Sequence, residues 1–334
     1  MAAFTTIDDP EAYFQCKIYT GNGSANNAIT LGGDTDMQPD LVWIKNRDAG
    51  DNSCVFDSVR GATKLLSTTV TDAETTDTDT LDSFASDGFQ VDADDKVNTN
   101  TEKYVAWCWK ESATAGFDIL IYTGTGSAHT ISHNLSALPH WMTHKGRSDA
   151  YSWITYHHNN TAAPETDHLV LEANTATADS AYEWNDTAPT TSVWTVGSGS
   201  GSNQSTKTYV AYLWTSIQGF SHFGTYEGNG NADGTFVPLS FRPAFIMIKN
   251  TGASENWCIK DNKRSPYNPN IIHVTADASD SETSTTALSI DFLSNGFKIR
   301  GTNSAINTDN GTYIYMAFAE APLVNSNGVP GCAK

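Results

Sequence analysis

The sequence predicts an all-β fold made of three tandem antiparallel β-sandwich units. Three observations carry that expectation: a pattern that recurs every hundred residues or so, a composition rich in strand and turn formers, and no long helical period. Val, Ile, Tyr, Phe and Trp supply most of the bulky apolar side chains, while Ser, Thr, Asn, Asp and Gly are abundant. β-Branched and aromatic residues fit a pleated face, and Gly, Asn and Asp make tight turns. No stretch beyond about ten residues keeps apolar positions at helical spacing.

The recurrence is read from four landmarks in fixed order. Tyr19-Thr20-Gly21-Asn22-Gly23 returns as Tyr122-Thr123-Gly124-Thr125-Gly126 and as Tyr226-Glu227-Gly228-Asn229-Gly230. Pro39–Asn46 returns as Pro243–Asn250, with a worn middle copy at Pro139–Gly146. Ser86-Asp87-Gly88-Phe89 matches Ser294-Asn295-Gly296-Phe297, with Thr191–Trp194 between them. Each unit closes on an aromatic strand at Tyr104–Trp107, Tyr209–Tyr212 and Tyr313–Met316. The units therefore span 13–113, 116–217 and 219–323, between an N-terminal arm (1–12) and a C-terminal tail (324–334). At 334 residues each unit is long enough to bury a core of its own. The joints, Ala113–Gly116 and Ser216–Gly219, are short and restrict relative motion.

Within repeat one the strands fall at Phe14–Tyr19, Ala28–Leu31, Leu41–Asn46, Val55–Ser58, Leu65–Thr68, Phe89–Val91 and Tyr104–Lys110. Short strands separated by turn clusters indicate a sandwich or barrel. Every residue of Tyr104–Trp109 is apolar or aromatic, which predicts a central strand buried on both faces. The glycine pairs after Tyr19, Tyr122 and Tyr226 read as tight turns, since neither a helix nor Lys-Ser/Thr follows to make a phosphate loop. The acidic, Thr-rich stretch from Asp72 to Asp95 reads as loop.

Asp and Glu total 38 against 19 Lys and Arg, a net charge of −19 that repels nucleic acid and suits a solvated surface. Five cysteines form no CxxC pair, and four of them (Cys16, Cys54, Cys108, Cys258) lie in strand-like runs as small buried hydrophobes. The start, Met1-Ala2-Ala3-Phe4, has no signal-peptide pattern, and no apolar run is long enough for membrane insertion. Folding in a cytoplasm is the expectation.

Patterns for enzyme chemistry do not emerge, and no cofactor is implied. There is no Gly-x-Ser-x-Gly elbow, Walker loop, HExxH or carboxylate pair on one strand. Glu183-Trp184-Asn185-Asp186 is the nearest approach to carboxylates beside an aromatic. Seven of nine histidines lie in repeat two. His129/His133 and His140/His144 are each four apart, so on a strand each pair shares a face and forms a candidate metal site; the plainer reading is surface or turn histidines. Tyr151, Trp153, Tyr182, Trp184 and Trp257 are candidates for an exposed sugar-stacking surface, against the alternative that aromatics fill cores. Asp92, Asp94 and Asp95 are clustered oxygens without the ligand spacing of a calcium loop.

Pro39–Asn46, Asp57-Ser58-Val59-Arg60-Gly61, Ser83–Phe89 and Tyr104–Lys110 together resemble a repeated domain of tailed-phage structural proteins. The ending, Ala319–Pro330, is similar to the C-terminus of such proteins from marine phages, of the tail-fibre or concanavalin-A-like lectin type. The resemblance covers nearly the whole chain and is weakest in repeat two, where the Lys-Asn and Asp-Gly-Phe signatures are lost. It implies a jelly-roll-like or lectin-like sandwich in a virion component made in the host cytoplasm. Other virion proteins and a host-surface glycan are the implied partners. A homotrimer is expected, or else three repeats in one chain already supply the threefold shape. A tail fibre or tail appendage and a capsid decoration, head-fibre or collar protein are the two roles implied. A decoration protein would bury the arm, residues 1–12, against another virion protein.

Overall fold

The computed structural model describes residues 4–331. The chain is all-β. Repeat one runs β1 (Phe14–Thr20), β2 (Asn27–Thr30), β3 (Leu41–Asn46), β4 (Cys54–Asp57), β5 (Lys64–Leu65), β6 (Thr75–Thr76), β7 (Leu81–Ala85), β8 (Gly88–Val91), α1 (Asp95–Asn98) and β9 (Lys103–Trp109). Repeat two runs β10 (Phe117–Thr123), β11 (His129–Ser132), β12 (Trp141–Gly146), β13 (Ile154–His157), β14 (Asp167–Val170), β15 (Ala178–Asp179), α2 (Ala181–Trp184), β16 (Val193–Val196), α3 (Ser200–Asn203) and β17 (Thr208–Trp214). Repeat three runs β18 (Ser221–Glu227), β19 (Phe236–Pro238), β20 (Phe241–Asn250), β21 (Cys258–Asp261), β22 (Ile272–Thr275), β23 (Thr283–Ser284), β24 (Ile290–Leu293), β25 (Gly296–Ile299), α4 (Ser304–Asn307) and β26 (Thr312–Pro322).

Each repeat pairs its first and closing strands in a large antiparallel sheet: β1-β9-β3-β4, β10-β17-β12-β13-β14-β15 and β18-β26-β20-β21-β22-β23. Smaller sheets, β2-β8-β7, β11-β16 and β19-β25-β24, make the second layers. In repeat one the anticipated strands form close to their expected places, except that Leu65–Thr68 contracts to Lys64–Leu65 with a bridge between Leu66 and Val55. The stretch read as loop hides a strand, Leu81–Ala85. It forms because Asp87-Gly88 turns the chain back onto β8, and Leu81 packs fully buried at its start.

The recurring glycine turns have one physical cause. A Cβ on Gly21, Gly124 or Gly228 would lie 2.2–2.3 Å from the carbonyl oxygen of Thr99, Gln204 or Thr308. The second glycine of each turn, Gly23, Gly126 or Gly230, has φ between 64° and 76°, where a side chain is disfavoured. Opposite each turn sits a buried asparagine on a short helix. The side-chain Oδ1 of Asn98, Asn203 and Asn307 accepts from the backbone N–H of Asn22, Thr125 and Asn229 at 2.7–3.0 Å. The aromatic strands tie down the same helices, with Tyr104, Tyr209 and Tyr313 each donating to the carbonyl of the helix's first residue at 2.7 Å.

The closing strands are buried on both faces, as their composition predicts. Along β9, Tyr104, Ala106 and Cys108 point into the sandwich core of repeat one, while Val105, Trp107 and Trp109 point the other way. That second face meets Val210, Tyr212 and Trp214 of β17 and residues of β26 in one cluster that draws on all three repeats. The largest core is therefore shared rather than private to each unit, because the large sheets are apolar on the face that a lone sandwich would give to water. Trp109 lies 6.2 Å from Trp214 and 5.7 Å from Phe318, ring centre to ring centre. The N-terminal arm joins this core of its own chain: Thr5, Ile7 and Pro10 are buried, and Asp8 accepts from the Ser326 N–H at 2.7 Å. These arm residues are thus already covered from within the chain. Residues 1–3 of the arm and 332–334 of the tail, Cys332 included, lie outside the described residues.

Lysine contacts between repeats run in one rotational sense. Buried Lys45 of repeat one donates to the carbonyl of Ser279 in repeat three at 2.8 Å, and Lys145 of repeat two to Thr71 in repeat one at 2.7 Å. Lys249 of repeat three reaches Asn174 in repeat two at 3.3 Å, which closes a ring of three repeats. Burial pushes each of these ammonium groups down to about 8. Backbone bonds Glu74→Arg147, Thr177→Thr251 and Glu282→Arg47, at 2.8–2.9 Å, join the same three junctions with the donors running in the opposite sense. Two of the three junctions add ions: Glu74 bridges Arg60 and Arg147, and Glu282 bridges Arg264 and Arg47. At the third, neutral Asn160, Thr177 and Thr251 take the corresponding places. Replacing buried Lys145 by Met leaves the Thr71 and Tyr151 carbonyls without this charged donor. The expected cost is about 1–3 kcal/mol in urea unfolding, with the far-ultraviolet circular dichroism of the native state unchanged.

Candidate functional site

The structure withdraws most of the aromatics expected to form a sugar-stacking surface. Trp153, Trp184 and Trp257 are each no more than 1% exposed. Their indole N–H groups donate to the carbonyls of Ser67, Asp167 and Val170 at 2.7–3.1 Å. Trp153 and Trp257 serve as bolts between neighbouring repeats, and their counterpart in repeat one is Ser53 with Thr68, which bonds the Ala276 carbonyl at 2.7 Å. Tyr151 is half-buried, its ring stacked on Tyr209 at 6.3 Å. Of the five, Tyr182 is the exposed one, at 67%. The reason is volume: a large ring facing the axis (Trp153, Trp257) or the sandwich core of repeat two (Trp184) buries more apolar area than a loop position offers.

The four histidines proposed as metal ligands do not converge. His129 lies beside Thr125 and Ser127 in its own turn, and His133 donates to the Thr190 carbonyl at 3.1 Å. His144 is fully buried, 3.2 Å from the Tyr122 hydroxyl, with its ring 4.8 Å from Trp184. His140 stacks on His158 at 4.1 Å. Among the described residues no three metal-ligating side chains are arranged so that they could hold a metal ion. Asp94 is spent as the cap of α1, accepting from the Lys96 N–H at 2.8 Å. Glu183 is buried, which raises its carboxyl above the ordinary range.

A different site opens in repeat three. Arg242, Asn262, Ser265, Pro266, Tyr267, Asn268 and Phe292 line a groove of about 490 Å³, against about 40 Å³ for the apolar gap between the sheets at the axis. The groove is walled by the loop after β21, which is longer than its counterpart in repeat one and close in length to that of repeat two. Arg60 and Arg264 hold equivalent places, each paired with an aspartate three residues before it. The chain from Arg264 to Val274, which pairs with Ile259, is four residues longer than that from Arg60 to Leu66, which bridges to Val55. The extra length carries Tyr267, 82% exposed. The loop is held rigidly below that ring. Asn268 exchanges two hydrogen bonds of 2.8 Å with the backbone of Phe292, and Asn270 donates to the Asp261 carbonyl at 2.9 Å.

Asn262 is the polar centre of the groove. It is 8% exposed, and its Oδ1 accepts no hydrogen bond. Its equivalents are satisfied: Ser58 donates to Asp40 at 2.8 Å, and His158 to the Phe223 carbonyl at 2.8 Å. In repeat three the position of Asp40 and His140 is taken by Ala244, so the partner is gone. Arg242 is paired with Glu320 at 2.9 Å. Sequence reasoning missed these residues. The available signal was Ala244 in the place of Asp40 and His140, with four more residues after Arg264 than after Arg60 when the repeats are aligned on Asp57/Arg60 and Asp261/Arg264.

The sequence profile of a family described as "Domain of unknown function (DUF7483)" matches residues 9–322. That single span covers all three repeats from the arm to the closing strand. The chain belongs to the DUF7483 family. No curated protein matches it. The unit that defines DUF7483 here is thus the whole ring, which agrees with a core that no single repeat closes.

The DUF7483 ring also gathers histidines at the junction of repeats two and three. His140, His157, His158 and His222 lie together, with His157 bonded to the Tyr315 carbonyl at 3.3 Å and His222 to the Tyr315 hydroxyl at 2.9 Å. Burial lowers all four, and His140 reaches about 4 with further repulsion from His158 and His222. A histidine whose folded value is depressed supports stability above the unfolded value near 6.5 and loses that support as pH falls toward the folded value. Half-buried Glu111 and Asp277, raised to about 7 and about 6, act in the opposite sense but are outnumbered. Thermal midpoints are expected to fall from pH 6.5 to pH 4, and His140→Gln to flatten that slope. Calorimetry across the range checks both.

Proposed function

We propose that this chain is a structural component of a tailed-phage virion, carried as a tail fibre or tail-associated appendage that touches host-surface glycans. The groove of repeat three carries the glycan reading: an exposed aromatic ring, a polar side chain without a partner and a rigid loop stand together on an outer face. Concave sites with a few placed polar groups beside apolar walls suit small-molecule and sugar ligands. The resemblance of Pro39–Asn46, Ser83–Phe89 and Tyr104–Lys110 to tailed-phage proteins supports the virion setting. So does a rigid ring whose arm and tail are tied together, and other virion proteins are its partners in this reading. A homotrimer belongs to the same proposal.

A second reading, a capsid decoration, head-fibre or collar protein, is favoured by one observation. The cyclic contacts of Lys45, Lys145 and Lys249 give a single chain the pseudo-threefold form of a trimer, a form suited to a threefold position on a shell. Cryo-electron microscopy of intact particles labelled with an antibody to this chain separates the two. Density at the tail periphery with Tyr267 facing outward is the expected result. A place on the shell or collar with that groove covered overturns the appendage reading in favour of decoration.

A further inference from the structure

We infer that the groove of repeat three is a binding site for a neutral saccharide, with Tyr267 as the stacking platform and Asn262 as the hydrogen-bonding floor. The inference rests on the glycan reading above and assigns it a place and a ligand class.

Comparison among the repeats carries the argument. All three keep the strand that bears this position, yet repeats one and two fill the space next to it. Ser58 is bound to Asp40, and the His158 ring is stacked on His140. Repeat three has Ala244 there, and Asn262 is left with an unpartnered oxygen while more than nine-tenths buried. A buried polar group without a partner is costly, and its persistence calls for a ligand or solvent group to complete it. The amide turns about its last torsion to present either end, so a sugar hydroxyl that both donates and accepts is a fitting complement.

The wall supplies the other half of a sugar site. Pyranose rings present a face of C–H groups that packs flat on an aromatic ring, and Tyr267 is exposed at 82% with no protein contact over it. Its loop does not need ordering on binding, because Asn268 and Asn270 already clamp it to β24 and β21. The volume of about 490 Å³ admits one to two sugar rings.

Charge selects the class. Arg242, the cation lining the groove, is neutralised by Glu320 at 2.9 Å, and neighbouring Lys263 faces Glu11 at 3.9 Å. The chain as a whole carries −19. A sialic or uronic acid would meet no free cation and a repulsive field, whereas neutral hexoses and N-acetylhexosamines would not.

The test is a printed array of neutral oligosaccharides with sialylated and uronic-acid-bearing counterparts, probed with the full chain and followed by calorimetric titration of the best binder. Neutral binding is expected, weakened about tenfold or more by Tyr267→Ala, on the scale of one lost stacking contact. Tyr267 is exposed, so the variant should melt with the native chain, and Tyr182→Ala in repeat two should bind as the native chain does. Asn262→Leu should lose binding as well. Binding of acidic glycans alone overturns the ligand class and leaves the glycan reading standing. Neutral binding untouched by Tyr267→Ala overturns the site and again leaves that reading. Silence across the array overturns both.

Discussion

Each closing strand is covered on its two faces by different things, and the rest of the architecture depends on that. Alternation along β9 sends Tyr104, Ala106 and Cys108 to the sandwich of repeat one, and Val105, Trp107 and Trp109 to the axis. β17 divides in the same way. A lone repeat would leave the axial row in water. At about 25 cal/mol per Å² of apolar area, a row of bulky apolar side chains on every sheet is a driving force that only neighbouring repeats can satisfy. Short joints and a tucked N-terminal arm then follow as the means of keeping three such faces together.

Packing apolar faces does not settle register, and the polar groups at the junctions do. The buried lysines each need carbonyl acceptors from the next repeat, so a slipped arrangement would strand a cation inside the protein. Coupled replacements show how strict this is. Trp107 donates to Asp261 at 3.1 Å and Tyr212 to Asp57 at 2.6 Å, whereas Met316 stands in the third place and has nothing to donate. There the aspartate has become His157, which bonds the Tyr315 backbone carbonyl instead. The junction of repeats two and three has exchanged ions for histidines and amides. It is therefore the part of the ring most responsive to acid.

Near-symmetry also explains where a site arises. Equivalent positions fill one another's needs at most places around the ring, and a ligand has room only where one copy departs from the others. Ala244, where the other two repeats carry Asp40 and His140, is such a departure in repeat three. In repeat two the departure runs the other way, since His140 and His158 stack and close the space.

By itself the sequence determined the all-β class, the glycine turns and the two-face burial of the closing strands. These depend on local matters: side-chain period, positive φ and the shape of β-branched and aromatic residues. It also marked the four strand cysteines as buried, and they are. What Trp153, Trp184 and Trp257 do was decided by tertiary structure, because a tryptophan beside a strand or on a short helix reads alike whether it meets water, its own core or another repeat. The same holds for His144, whose spacing from His140 suggested a shared ligand, while the sheet sent it into a sandwich core. Asn262 became a site residue only through the absence of a side-chain partner on the neighbouring strand. A missing contact leaves no mark in the chain itself; only the folded ring, with two filled copies beside an open one, makes it legible.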